Sequence, residues 1–197
     1  MKACWIDAGN DPDYAKLKAN NMDAAFFDVR DPRVTRTYLE GVQNHGLDVG
    51  VYAAWNWEPQ LQGGGFANWL SAQLQRFASG GAPDIPRVCV DIETHDVSYL
   101  LAFFKRWRQL RPARLTDWTL EGFQGGLFKP SDVAAITAAG VGVCPQFYDG
   151  QMAALGHSVI LDLLIAGFPG AMLSGMYDAA RLPYSWRGYA FTQGRLL

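Results

Sequence analysis

Eight short apolar runs, separated by amphipathic stretches from one end of the chain to the other, constrain the fold more than any other feature. They fall at residues 3–7, 23–28, 48–53, 87–92, 115–121, 141–147, 171–177 and 187–192. Most are hydrophobic almost without a break, as in "DAAFFDV" and "VCVDIE". A strand with one wet face alternates apolar and polar residues, whereas a parallel strand covered on both faces does not need to. Strands alternating with helices predict an α/β fold on a parallel sheet. Eight of them in 197 residues predict a compact (β/α)8-like TIM barrel with fewer than eight helices, spanning residues 1–197 as one domain. No G-x-G-x-x-G follows the first run, which argues against an open dinucleotide-binding sheet.

The helices announce themselves by their caps and faces. Asp11-Pro12 and Asp31-Pro32 each set an N-cap acceptor before a proline, and Asp96 precedes the helix expected over 97–110. A helix over 66–77 presents Trp69, Leu70, Leu74 and Phe77 on one side. Ser131 or its neighbour caps a helix that stops at Gly140, and a last helix is expected over 158–166. Gly63-Gly64-Gly65 reads as a flexible lid or a plain connector.

Charge narrows the function classes. The formal net charge is -2 and the basic residues are scattered, so nucleic-acid binding and attraction to an anionic membrane are not expected. No apolar run approaches the ~18 residues of a membrane span, and the first residues carry no basic-then-apolar leader. Cys4, Cys89 and Cys144 each sit in an apolar run at spacings that suit neither zinc nor a disulfide framework; they read as buried thiols. Histidines match no metal or triad spacing, and there is no G-x-S-x-G elbow, so neither metal nor cofactor is expected.

In a barrel the site lies at the C-terminal ends of the strands. Those ends carry Asp7, Asp28, Trp55 with Trp57, Asp91 with Glu93, Glu121, Tyr148 with Asp149, Asp178 and Gln193. Some of these acids could be helix caps, which strand-to-helix loops favour. Asp91 and Glu93 are different. Residues two apart on a strand point the same way, with Cβ atoms ~7 Å apart. "CVDIE" therefore aims two carboxylates into one space. Retaining glycosidases use carboxyl groups about 5–5.5 Å apart and inverting ones about 6.5–9.5 Å; both separations are open to this pair or to one of them with Asp7. The aromatic residues beside the strand exits suit stacking on sugar faces, and equally suit rim packing.

With those residues in view, the chain resembles the glycoside hydrolase family 25 lysozymes. "CWIDAGNDPDYAKLKANNMDAAFFDVRD" is similar to that family's first strand, helix and second strand. "GLDVGVYAAWNW", "RVCVDIET" and "WRGYAFTQG" are similar to its third, fourth and last strands. The resemblance implies a shortened eight-stranded barrel and cleavage of the peptidoglycan sugar backbone without metal or cofactor. It implies Glu93 as general acid, with Asp91 and Asp7 as partners; the remaining strand-end residues Asp28, Trp55, Trp57, Glu121, Tyr148, Asp178 and Gln193 are expected to line the substrate. Ala8-Gly9 stand where the family has Val-Ser, and no acid follows the last strand unless Asp178 replaces it. Those departures leave a second expectation open, a non-catalytic barrel in a phage tail or capsid that touches glycan or packs against structural proteins. A host cytoplasm or a virion is the location implied if the chain is phage-encoded.

Overall fold

Runs buried on both faces satisfy their backbone only by pairing side by side, and residues of alternating parity then enter two different cores. The computed structural model describes residues 2–79, 85, 87–94, 96–111, 115–120, 128–138, 141–145, 164–165, 167–168, 175–176 and 189–192. The strands among them are β1 (Lys2–Ile6), β2 (Ala24–Asp28), β3 (Asp48–Ala54), β4 (Arg87–Asp91), β5 (Leu115–Leu120), β6 (Val141–Pro145), β7 (Gly175–Met176) and β8 (Tyr189–Thr192). They form one sheet in the order β6-β5-β4-β3-β2-β1-β8-β7. Every adjacent pair is parallel. The first strand pairs with the last, and β6 and β7 run within 8 Å of one another, so the sheet curls into a TIM-barrel-like α/β fold.

Between the strands lie α1 (Tyr14–Ala19), α2 (Arg36–Asn44), α3 (Gly63–Ser79), α4 (Val97–Leu110) and α5 (Pro130–Ala138). No described helix is long and apolar enough to cross a membrane. Cys4, Ile6, Ala25, Phe27, Val49, Val51, Ala53, Val88, Val90 and Ile92 face this helical layer and merge with Leu39, Phe66, Leu70 and Phe103 in the main core. The other parity, Ala3, Trp5, Ala24, Phe26, Tyr52 and Cys89, fills the barrel interior. Gly50 belongs there because its register partner Phe26 occupies the space: a Cβ on Gly50 would sit 2.6 Å from the Phe26 ring. Cys4 and Cys89 are buried thiols outside any disulfide, as expected. Burial pushes the Cys4 thiol up to about 12, which keeps it protonated and inert.

Three local expectations change. Gly63-Gly64-Gly65 is the first turn of α3, neither lid nor connector. A Cβ on Gly63 would lie 2.0 Å from the Tyr99 carbonyl oxygen of α4, so the glycine is where two helix backbones touch. Helix α1 is capped by Asp13, whose side chain accepts from the Lys16 amide, two residues after Asp11. Helix α2 starts behind Thr35, because Asp31 is engaged elsewhere. Asp96 caps α4 as its sequence position suggests.

Asp31 is the strap that joins the loops after β1 and β2. Its Oδ2 accepts from the Gly9 amide at 3.1 Å, its Oδ1 accepts from the Arg33 amide at 2.9 Å, and the Arg33 guanidinium closes on both oxygens. Arg33 also donates to Asp11 and to the Asn10 carbonyl, which the Tyr38 hydroxyl shares. The Arg33 side-chain bonds, ahead of the two backbone amides, hold the Asp31 carboxyl down at about 2 against its ordinary 3.8.

Two predictions follow from these contacts. Gly63→Ala must push α3 off α4 against backbone atoms, at a cost of at least 1–3 kcal/mol, about 3 to 10 °C in melting temperature. Gly64→Ala meets no atom closer than 4.0 Å and should leave stability unchanged or raise it. For Asp31, a depressed folded-state pKa contributes stability that is complete above 3.8 and is lost as pH falls towards about 2. The Asp31→Asn protein should therefore be less stable than its parent by about 1–2 kcal/mol at pH 6, with the difference closing between pH 4 and 2 in chemical denaturation.

Candidate functional site

Ile92 is fully buried against the helices, and Asp91, the last residue of β4, and Glu93, two residues beyond it, are half-buried on either side. Asp91 is level with Ala54 of β3 and Thr119 of β5. Asp7 is the first residue beyond β1 and continues the interior series Ala3, Trp5; it is exposed at the mouth, and its carbonyl closes a turn with the Asn10 amide at 3.0 Å. Asp28 ends β2 and lies level with Tyr52. The ends of β1, β2 and β4 thus bring Asp7, Asp28 and Asp91 to one end of the barrel, with Glu93 two residues beyond β4.

They differ in availability. Asp28 is 2% exposed and fully engaged: Oδ1 accepts from the Arg30 amide at 2.8 Å and from its Nε at 3.1 Å, and Oδ2 accepts from an Arg30 terminal nitrogen at 2.8 Å. Asp28 is almost out of water and depends on these N–H groups from the half-exposed Arg30, so it serves as an anchor. Arg30 in turn lies 3.4 Å above the centre of the Trp57 ring. That face of Trp57 is therefore closed to a sugar, and the ring also tilts against Tyr52 at 5.8 Å. Trp55, in the same 3-10 turn (Trp55–Trp57), sets its edge against Tyr99 of α4 at 6.1 Å, on the helical side.

Tyr52 and Arg30 are the site residues that strand-end reading passed over. Tyr52 stacks on Trp5 with centroids 5.0 Å apart, and its hydroxyl donates to Asp7 Oδ1 at 3.3 Å. Burial, then the charges of Asp28 and Asp7, raise its pKa far above the ordinary phenol value, so it stays a neutral donor. The signal for Tyr52 was parity, since it shares the interior series with Gly50 and Ala54. For Arg30 it was the spacing of two from Asp28. The Trp5 indole N–H is buried without a partner among the described residues, the cost of filling a barrel with a ring that carries a donor. Glu121, Tyr148, Asp178 and Gln193 lie outside the described residues. Among the described residues no three His, Cys, Asp or Glu side chains group as metal ligands do.

No protein-family model matches the chain, and no curated protein matches its sequence. Solved structures do match its fold. One is 2,3-dimethylmalate lyase, a member of the PEP mutase/isocitrate lyase superfamily, at 13% identity and TM-score 0.54, covering 96% of this chain and 75% of that one. Another is PhdJ bound to a substrate intermediate, at 11% identity and TM-score 0.55, covering 98% of this chain and 66% of that one. A third is active domain 2 of a thermostable chitinase from Pyrococcus furiosus with chito-oligosaccharides, at 13% identity and TM-score 0.55, covering 96% and 82%. These findings overturn the family 25 lysozyme assignment. An apolar strand ending in an acid is what any barrel with a polar mouth presents, and short segments of that kind do not separate one barrel family from another. The chain has a TIM-barrel-like fold, at a distance similar to the PEP mutase/isocitrate lyase and chitinase barrels.

Proposed function

We infer that the chain is a glycoside hydrolase acting on a polysaccharide, with Glu93 as general acid and Asp91 and Asp7 as its electrostatic partners. What supports this reading is the pair of half-buried acids, Asp91 and Glu93, that flanks the buried Ile92 at the end of β4. In the proposed mechanism Glu93 protonates the leaving glycosidic oxygen. The conjugate carboxylate then stabilises positive charge growing on the sugar ring. Asp7 adds a second negative charge, oriented by Tyr52. The chitinase likeness supports the reading at the level of the fold, and chito-oligosaccharides join peptidoglycan as first substrates to try.

Reducing-end release from chitin oligomers and from purified peptidoglycan, measured for the parent and for Glu93→Gln, tests the assignment. The substitution keeps the side-chain volume and should lower the rate by about 10²–10⁴-fold with an unchanged melting temperature. Asp91→Asn should also lose most activity. Equal rates for parent and Glu93→Gln would remove Glu93 from the mechanism. No release by a well-folded parent on either glycan would favour the non-catalytic barrel.

A further inference from the structure

We propose that Arg30 is a recognition residue for a carboxylate group on the bound glycan, so that the substrate class is an acidic, uronate-like polysaccharide. This rests on reading the barrel mouth as a glycan site, and adds a chemical specification which that reading lacks.

A guanidinium carries five N–H donors in a plane, and two of its edges can each take one carboxylate. In Arg30 the edge formed by Nε and one terminal nitrogen is spent on Asp28. The opposite edge, formed by the two terminal nitrogens, has no partner among the described residues, and the side chain is 45% exposed. Arg33, the neighbouring arginine of the same loop, makes the opposite case. Its Nε and both terminal nitrogens are consumed by Asp31, Asp11 and the Asn10 carbonyl.

The open edge is also held still. Asp28 fixes the guanidinium from below, with an oxygen that the Arg30 backbone amide binds too, and Trp57 fixes its plane from one face. Trp57 leans on Tyr52, and Tyr52 donates to Asp7, so a continuous set of contacts joins Arg30 to an acid of the proposed site. An arginine that only had to neutralise Asp28 would need neither the ring above it nor an outward fork. A fork of two parallel N–H groups fits two oxygens of one carboxylate better than it fits a lone hydroxyl. Elsewhere the described mouth bears Asp7, Asp91 and Glu93, which repel an anion. The carboxylate is therefore confined to the β2–β3 side, and the sugar chain it belongs to is set in one direction across the mouth.

The test is binding to an array of carboxylated, sulfated and neutral glycans. It uses the Glu93→Gln protein, so that turnover does not blur affinity, with and without Arg30→Lys. Lysine keeps the charge opposite Asp28 but has no second edge. An Asp28→Asn/Arg30→Gln double variant removes both charges together and guards against loss of fold. The expected result is preferential binding of carboxylated glycans by the Glu93→Gln protein, at least 10-fold weaker with Arg30→Lys and with the double variant, while both variants still melt cooperatively. Binding of neutral or sulfated glycans alone, an affinity indifferent to Arg30, or no binding by any variant would overturn the inference. Hydrolysis of neutral glycans by the unsubstituted protein, independent of Arg30, would leave the hydrolase standing and this inference defeated. Arg30-dependent binding without turnover would do the reverse.

Discussion

The alternation of side chains along parallel strands buried on both faces is the constraint on which the rest of the molecule depends. It divides each strand between two cores of different character. The outer one is broad, aliphatic and continuous with the helices, while the inner one is narrow and filled by a few large rings. Trp5, Phe26 and Tyr52 can share that interior only because Ala3, Ala24 and Gly50 stand beside them. The same parity, carried one residue past the apolar stretch, delivers Asp7, Asp28 and Asp91 to a single opening. Fold and site are thus one consequence of a period of two.

Electrostatics then sorts these acids into roles. Removing a carboxylate from water costs several kcal/mol unless a partner and hydrogen bonds replace the hydration. Asp28 has three N–H donors in place of water, all from Arg30, and is used up by them. Asp7 has only a long bond from Tyr52 and remains open to solvent. Asp31, though nearly as buried as Asp28, lies beyond the strand and ties two loops together, which fixes the turn that follows Asp7. An acid-rich mouth built this way is stable because its most deeply buried charges are neutralised within their own loops.

Much of this was legible in the sequence, and the failures have identifiable causes. Strand positions were legible because two-sided burial leaves unbroken apolar runs, and β4 as read differs from β4 as folded by a single residue. The place of Asp91 at the end of β4 was legible in the same way, whereas Glu93 lies two residues past the strand, where the period of two no longer fixes it. Gly63 was misread because a glycine triplet carries the same letters whether it loosens a loop or lets two helices touch; only the Tyr99 carbonyl distinguishes the cases. Trp57 was left between sugar stacking and rim packing, because the sequence cannot show the Arg30 cation lying over one face of its ring. Asp31 was read as a cap because Asp-Pro is a cap signal; Arg33, two residues on, outcompetes the helix for that carboxylate.

The lysozyme resemblance failed for a related reason. Its quoted segments lie mostly on strands, where any parallel barrel is driven towards the same apolar letters and a polar exit. A lyase, a protein caught with a substrate intermediate and a chitinase domain superpose on this chain about equally well, at identities where only backbone geometry is shared. Discrimination among such barrels therefore rests on side chains that the fold does not require. Ile92 is an apolar residue that the outer core needs, and Arg30 is the counter-ion of Asp28 that also lies over the Trp57 ring. Side chains of this kind, at one mouth, are where one barrel can be told from another.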